Sequence, residues 1–167
     1  SINIIGSTGN SNIRIGETLS NLQNYAPSED VVIITDPNVY GHYGEIFPPF
    51  KIIQIGTGEK IKCLETVSDI FQRMIEMEIG RSGFIVGIGG GIVCDIAGFV
   101  APTYMRGVRF GFVASTILSQ VDASTGGKNG VNYDGYKNMV GVFNQPECVI
   151  CDLNLLKTLP AREIRCG

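Results

Sequence analysis

The sequence predicts an α/β fold, a doubly wound and mostly parallel sheet with helices between its strands. Three observations carry this. Apolar runs without polar alternation, at residues 31–35 and 84–86, read as strands buried on both faces. Between them Leu64, Val67, Phe71, Met74 and Ile75 recur at helical spacing. The stretch Gly87-Ile-Gly-Gly-Gly-Ile-Val-Cys-Asp95 then joins an apolar strand to a second apolar run at 96–100, in the order strand, glycine turn, helix.

Taken in order, residues 2–5 and 13–15 are short β-like runs. Residues 18–25 read as helical, with Leu19 and Leu22 on one face, and residues 27–30 break that helix. The strand at 31–35 ends in Asp36-Pro-Asn38, where open α/β sheets bind ligands. A carboxylate there accepts ribose hydroxyls, or it caps a turn; the residues leave both open. A strand at 51–55 leads through a loop at 56–60 to a helix over 62–78, with Glu59 and Lys62 near its start. The helix after the glycines runs from Ile92 to about Thr103, with Asp95 expected in its first turn and Pro102 expected to end or bend it near Ala101. A strand at 109–114 precedes Ser115-Thr116, which can cap a helix over 117–122. Residues 133–136 form a turn, 147–152 the last strand, 153–159 a short helical piece, and Pro160 opens a new helix.

The totals exclude several classes. The chain has 167 residues, enough for one domain, and a net charge of −3 with no basic run, so nucleic acid is not an expected partner. No apolar stretch is long enough for a membrane span and no secretory signal is visible. The five cysteines, Cys63, Cys94, Cys148, Cys151 and Cys166, are odd in number and scattered, which suits a reducing cytoplasm. Cys148-Val-Ile-Cys151 lies in an expected strand, where positions three apart face opposite sides, so it is not read as a metal site.

Two stretches carry chemistry. Consecutive glycines let backbone N–H groups approach a ligand, and the helix behind them adds its free N–H groups and positive dipole end, a place to hold a pyrophosphate. The spacing departs from G-x-G-x-x-G, because Ile92 and Val93 stand where a last glycine could come. Asp122-Ala-Ser-Thr-Gly-Gly-Lys128-Asn-Gly is not a phosphate-binding P-loop, since Asp122 and Asn129 stand where Gly and Ser or Thr are required. With Lys137 and Asn138 it still concentrates polar groups suited to an anion, or it is ordinary surface.

The motifs Gly-Gly-Gly-Ile-Val-Cys-Asp-Ile-Ala-Gly-Phe-Val, Tyr-Met-Arg-Gly-Val-Arg-Phe, Gln-Val-Asp-Ala-Ser-Thr-Gly-Gly-Lys, Lys-Asn-Met-Val-Gly-Val-Phe-Asn-Gln-Pro and Leu-Lys-Thr-Leu-Pro-Ala-Arg-Glu, in this order, resemble 3-dehydroquinate synthase. The resemblance is dense over 84–163 and thinner before 50. It implies a Rossmann-like N-terminal domain, here residues 1–167, of a two-domain enzyme whose helical metal-binding domain is absent from this chain. It also implies an activity: closure of 3-deoxy-D-arabino-heptulosonate 7-phosphate to 3-dehydroquinate with release of phosphate, in the shikimate pathway that leads to chorismate and the aromatic amino acids. Catalytic NAD and a divalent metal, zinc or cobalt, serve that reaction: a transient hydride transfer to NAD creates a ketone, which acidifies the neighbouring C–H so that phosphate can be eliminated.

Carried over by residue, the resemblance implies NAD contacts at Asp36, Asn38, Glu59, Lys62, Gly90, Gly91, Ile92, Asp95, Ser115, Thr116, Lys137 and Thr158. Asp122, Lys128 and Asn138 match substrate residues, and Arg106 matches an arginine that reaches the neighbouring subunit's site, which implies a homodimer. The chain departs from the family pattern at Ala114-Ser115, Pro102, Cys94 and Tyr136, with no essential charge removed. The family's metal ligands, one Glu and two His, come after the segment matching Leu-Pro-Ala-Arg-Glu. The one histidine here, His42, is expected on a surface loop far from the site motifs. The chain alone is therefore expected to bind NAD weakly and not to turn over. Alternatives are a sister sugar-phosphate cyclase, making 2-deoxy-scyllo-inosose or a valiolone, and a non-catalytic nucleotide-binding module.

Overall fold

The structure, a computed structural model, describes residues 1–27 and 29–167, and of Cys166 the backbone alone. Ser28, part of the expected break at 27–30, lies outside the described residues, as does the side chain of Cys166.

Seven strands form one sheet: β1 (Ile2–Gly6), β2 (Gly9–Ile15), β3 (Val31–Thr35), β4 (Lys51–Gln54), β5 (Phe84–Gly89), β6 (Arg109–Ala114) and, late in the chain, β9 (Cys148–Cys151). Their order is β1-β2-β9-β6-β5-β3-β4, parallel throughout except for the β1/β2 edge hairpin. Every residue of β3, β5 and β9 is buried, as the unalternating apolar runs require of central parallel strands.

Two cores flank the sheet. On one face α2 (Leu64–Glu76) and α3 (Gly91–Thr103) bury Val67, Ile70, Met74, Val93, Ile96 and Val100. On the other face α1 (Pro37–Tyr43) and the 3-10 turns Leu19–Asn24 and Leu153–Thr158 cover Val31, Ile33 and Val86. Leu19 and Leu22 are fully buried there, although the segment is a 3-10 helix. In α2 the buried stripe is Val67, Ile70 and Met74; Ile75, expected in it, is 65% exposed, because 3.6-residue periodicity carries that position past the core face. Cys148 packs in one core and Cys151 in the other, as expected for positions three apart in a strand.

Two elements differ from the sequence expectation. The helix expected over 117–122 is a π-helical turn, Ser119–Ala123. Beyond it, residues to which the sequence reading assigned only the turn at 133–136 form a second, two-stranded sheet, β7 (Lys128–Tyr133) with β8 (Tyr136–Phe143). Its turn has Asp134 at φ 48° and Gly135 at φ 79°, the left-handed pair of a two-residue hairpin turn. The hairpin lies on α3, where Gly98 makes the close approach possible: an added Cβ would fall on Asn129 Oδ1. The last helix is α4 (Ala161–Cys166). No helix among the described residues is long and apolar enough to cross a membrane.

Pro102 sits inside α3 and does not stop it before Thr103. At the helix end the last carbonyls find donors outside the regular ladder: Thr103 Oγ1 donates to Phe99 O at 2.6 Å, and Val108 N donates to Ala101 O at 2.9 Å. The chain then leaves through Met105 at φ 50° and Arg106 at φ 71°, both left-handed without being glycine.

Candidate functional site

The chain passes from β3 outward to β4 and then returns to β5 on the opposite flank of β3. Helix α1 leaves β3 over one face and α3 leaves β5 over the other. A crevice forms where the winding reverses. There the structure has a cleft of about 670 Å³, walled by the segments that follow β3, β4, β5, β6 and β9. It brings together Asp36, Asn38, Gly90, Gly91, Ile92, Ser115, Thr116 and Thr158, all expected at a cofactor.

The floor of the cleft is backbone. Gly90 is the N-cap of α3 and no side chain caps that helix, nor does its first turn hold an acidic residue. The leading N–H groups of α3 therefore have no intrahelical acceptor and no competing carboxylate. Added Cβ atoms at Gly90 and Gly91 would lie 3.1 Å from Thr116 Cγ2 and 3.3 Å from Ala123 Cβ, so the glycines also let the segment after β6 close in. A rigid array of free N–H donors at the positive end of a 13-residue helix fits a pyrophosphate.

The walls are held by caps. Asp36 Oδ1 accepts from Asn38 N at 2.9 Å and Val39 N at 3.0 Å, so the carboxylate caps α1. Its second oxygen has no protein partner among the described residues and stays available to a ligand hydroxyl. Thr116 caps the turn after β6: Ser119 N donates to Thr116 Oγ1 at 3.1 Å, and Thr116 N donates back to Ser119 Oγ at 3.0 Å. Ser119, fully buried, was not singled out by sequence. Tyr43 Oη and Thr158 Oγ1, 2.8 Å apart, close the cleft's far side. His42 is exposed, as expected, but it lies on α1 and lines this cleft, where a loop far from the motifs was expected. The short helix that Asp36 caps carries it there.

A second cavity, of about 510 Å³, lies between α3 and the β7–β8 hairpin. Asp122, Lys128 and Asn138, the residues expected at a substrate, line it together with Asp95. Asp95 was expected in the first turn of α3 and at the cofactor. It is the fifth helical residue, just past the free N–H groups of the first turn, and its carboxylate meets the Lys62 ammonium. Burial pushes the Asp95 carboxyl above its usual range, and the ammonium pulls it part of the way back. Lys62 is 6% exposed and also donates to Asn138 Oδ1 at 2.6 Å.

Glu59, Lys62 and Lys137, expected at the cofactor, line neither cavity. Glu59 Oε1 accepts from Asn132 Nδ2 at 2.8 Å and lies 3.9 Å from the exposed Lys137 ammonium. Asn132, which sequence reading passed over, joins these groups: its own N–H donates to Lys62 O at 2.8 Å, and its Oδ1 accepts from Asn138 N at 2.9 Å. Arg106 is exposed and lines neither cavity. Among the described residues no three His, Cys, Asp or Glu side chains are grouped to hold a metal ion, so no step is assigned to a metal here.

Comparison with known proteins gives one consistent result. The family model for the 3-dehydroquinate synthase N-terminal region matches residues 52–166. The 3-dehydroquinate synthase of Ruminiclostridium cellulolyticum is 43% identical over 146 residues, which are 81% of this chain and 40% of the relative. That of Pelotomaculum thermopropionicum is 42% identical over 161 residues, 92% of this chain and 43% of the relative. The chain thus spans less than half the length of the curated relatives it matches. Among solved structures, a 2-deoxy-scyllo-inosose synthase complexed with carbaglucose-6-phosphate, NAD+ and Co2+ superposes with a TM-score of 0.87 at 29% identity, covering 99% of this chain and 48% of that one. The mostly parallel sheet is the Rossmann-like fold expected from sequence, and the chain belongs to the 3-dehydroquinate synthase N-terminal family.

Proposed function

We propose that residues 1–167 form the NAD-binding domain of a 3-dehydroquinate synthase, a lyase that releases phosphate from 3-deoxy-D-arabino-heptulosonate 7-phosphate. The observation that carries this reading is the pairing of an uncapped helix N-terminus in the first cleft with Asp122, Lys128 and Asn138 in the adjacent cavity. Relatives 43% and 42% identical to the chain over the 146 and 161 residues that align carry that enzyme's name.

In this reading the first cleft holds NAD, which supplies a reversible hydride acceptor when bound. The N–H groups of Gly91 and Ile92 bind its pyrophosphate, and Asp36 accepts from a ribose hydroxyl through the oxygen not used in capping. Ser115, Thr116 and Thr158 line the remaining path. The second cavity takes the sugar phosphate. Lys128 offers an ammonium to the phosphate, and Asn138 offers an amide donor to a substrate oxygen. Asp122 accepts from a substrate hydroxyl and orients it. This is positioning, which brings reacting groups together without a protein nucleophile. The metal, zinc or cobalt, is held by residues outside this chain. Arg106 serves a neighbouring copy in a homodimer, and the enzyme works in the cytoplasm.

The test is phosphate release from 3-deoxy-D-arabino-heptulosonate 7-phosphate by a protein of the relatives' full length, supplied with NAD and zinc. Release that disappears in Lys128→Ala supports the reading. Release from glucose 6-phosphate instead selects the sister activity suggested by the 2-deoxy-scyllo-inosose synthase likeness. Release from neither overturns the enzyme reading and leaves a nucleotide-binding module.

A further inference from the structure

One buried cation, Lys62, is held by two residues that line the second cavity. The Lys62 ammonium donates to Asp95 Oδ2 and to Asn138 Oδ1. An ammonium has donors and no acceptor, so the Asn138 amide must turn its oxygen toward Lys62. Its Nδ2 group then has no protein partner among the described residues and is left for the second cavity, which Asn138 lines. The backbone enforces the same placement. Asn138 sits at φ 53°, a left-handed conformation that asparagine tolerates better than most residues, and its N–H is held by Asn132 Oδ1. Asn132 is bonded in turn to Lys62 O and Glu59 Oε1. The segment after β4 that carries Lys62 and the hairpin that carries Asn138 therefore share one hydrogen-bonded network.

We propose that Lys62 is a positioning residue: it fixes Asn138 as a hydrogen-bond donor toward the second cavity, so that this point of the site selects a ligand oxygen acceptor such as a phosphate, carboxylate or keto oxygen. The inference rests on the second cavity being the substrate site. It departs from the direct cofactor contact implied by family resemblance, because Lys62 does not line the glycine cleft.

The test compares wild type with Lys62→Met, which keeps the side chain's length and removes its donors. Two quantities are read on the chain: the side-chain NH₂ resonances of Asn138, observed with ¹⁵N-labelled asparagine, and NAD affinity by calorimetry. The expected result is a shifted or broadened Asn138 pair with NAD affinity changed by less than about threefold, under 1 kcal/mol. An unmoved Asn138 pair, or NAD affinity reduced about tenfold or more, overturns the proposal and returns Lys62 to the cofactor.

Should Lys62→Met fail to fold, Asn138→Asp reads the same claim. It keeps an oxygen toward Lys62 but replaces the outward donor with an acceptor. The full-length protein carrying it should keep its melting temperature and its NAD affinity. Its affinity for 3-deoxy-D-arabino-heptulosonate 7-phosphate should fall about tenfold or more, the scale of one charge-assisted hydrogen bond. Unchanged sugar-phosphate affinity overturns the proposal. If wild type itself binds no sugar phosphate, the proposed function fails on its own, and the Asn138 resonances still decide the role of Lys62.

Discussion

The two cavities lie side by side and are built in opposite ways. The cleft at the strand ends presents backbone: free N–H groups of α3, glycines that keep side chains away, and caps that hold its walls. The cavity under the hairpin presents side chains, and those depend on others behind them, Asn138 on Lys62 and Lys62 on Asp95. A backbone-built site is rigid wherever its helix and strands are rigid. A site built from side chains is as rigid as the network that supports it, so remote changes should disturb the second cavity and spare the first.

The largest expected effect comes from Asp95→Ala. It leaves the Lys62 ammonium buried without its counter-charge, and losing one partner of such a pair costs about 3–5 kcal/mol. Chemical denaturation would show it as a lowered midpoint with an unchanged slope. Next is Gly98→Ala. The new methyl group falls on Asn129, and overpacking of this kind costs about 1–3 kcal/mol. Hydrogen exchange should show protection lost in β7 and β8 and kept in β3 and β5. Uniform loss across the sheet would mean that the hairpin is not a separable unit. Asp36→Ala removes the cap of α1 and should cost about 1 kcal/mol on thermal unfolding, with local exchange at the cleft's edge.

The smallest effect is at a residue that lines neither cavity. Hydrogen bonds from Tyr25, Asn21 and Thr18 hold the Glu17 carboxyl down to about 2 from a usual 4.5. A depressed folded pKa stabilises the fold above the unfolded value and is lost as pH falls through the window between them. Glu17→Gln should therefore lose less stability than wild type between pH 5 and pH 2, with no change in either cavity; a parallel loss in both proteins would contradict the assignment.

What was legible in the sequence follows the same division. The glycine run, the unalternating strands and Asp36 at a strand end are local patterns, and the cleft they build was readable from them. The second cavity needs Lys62 to meet Asn138 and Glu59 to meet Asn132, 76 and 73 residues apart in the chain. No local period encodes such meetings. One signal was present and was read as a turn only: Asp134-Gly135 between Tyr133 and Tyr136 is a hairpin signature, and it would have placed Lys128 and Asn138 on paired strands. His42 was misplaced because nothing in its own neighbourhood shows that a seven-residue helix turns it toward the glycines.

The most direct test of the account is a calorimetric titration of the chain with NAD, run on wild type, Gly91→Val and Gly98→Ala. The account predicts saturable binding at one site in wild type and retained binding in Gly98→Ala. In Gly91→Val it predicts affinity lowered about tenfold to a hundredfold, as charge-assisted bonds to the α3 N–H groups are blocked. No heat from wild type at millimolar NAD, or a Gly91→Val variant that binds like wild type, would contradict it.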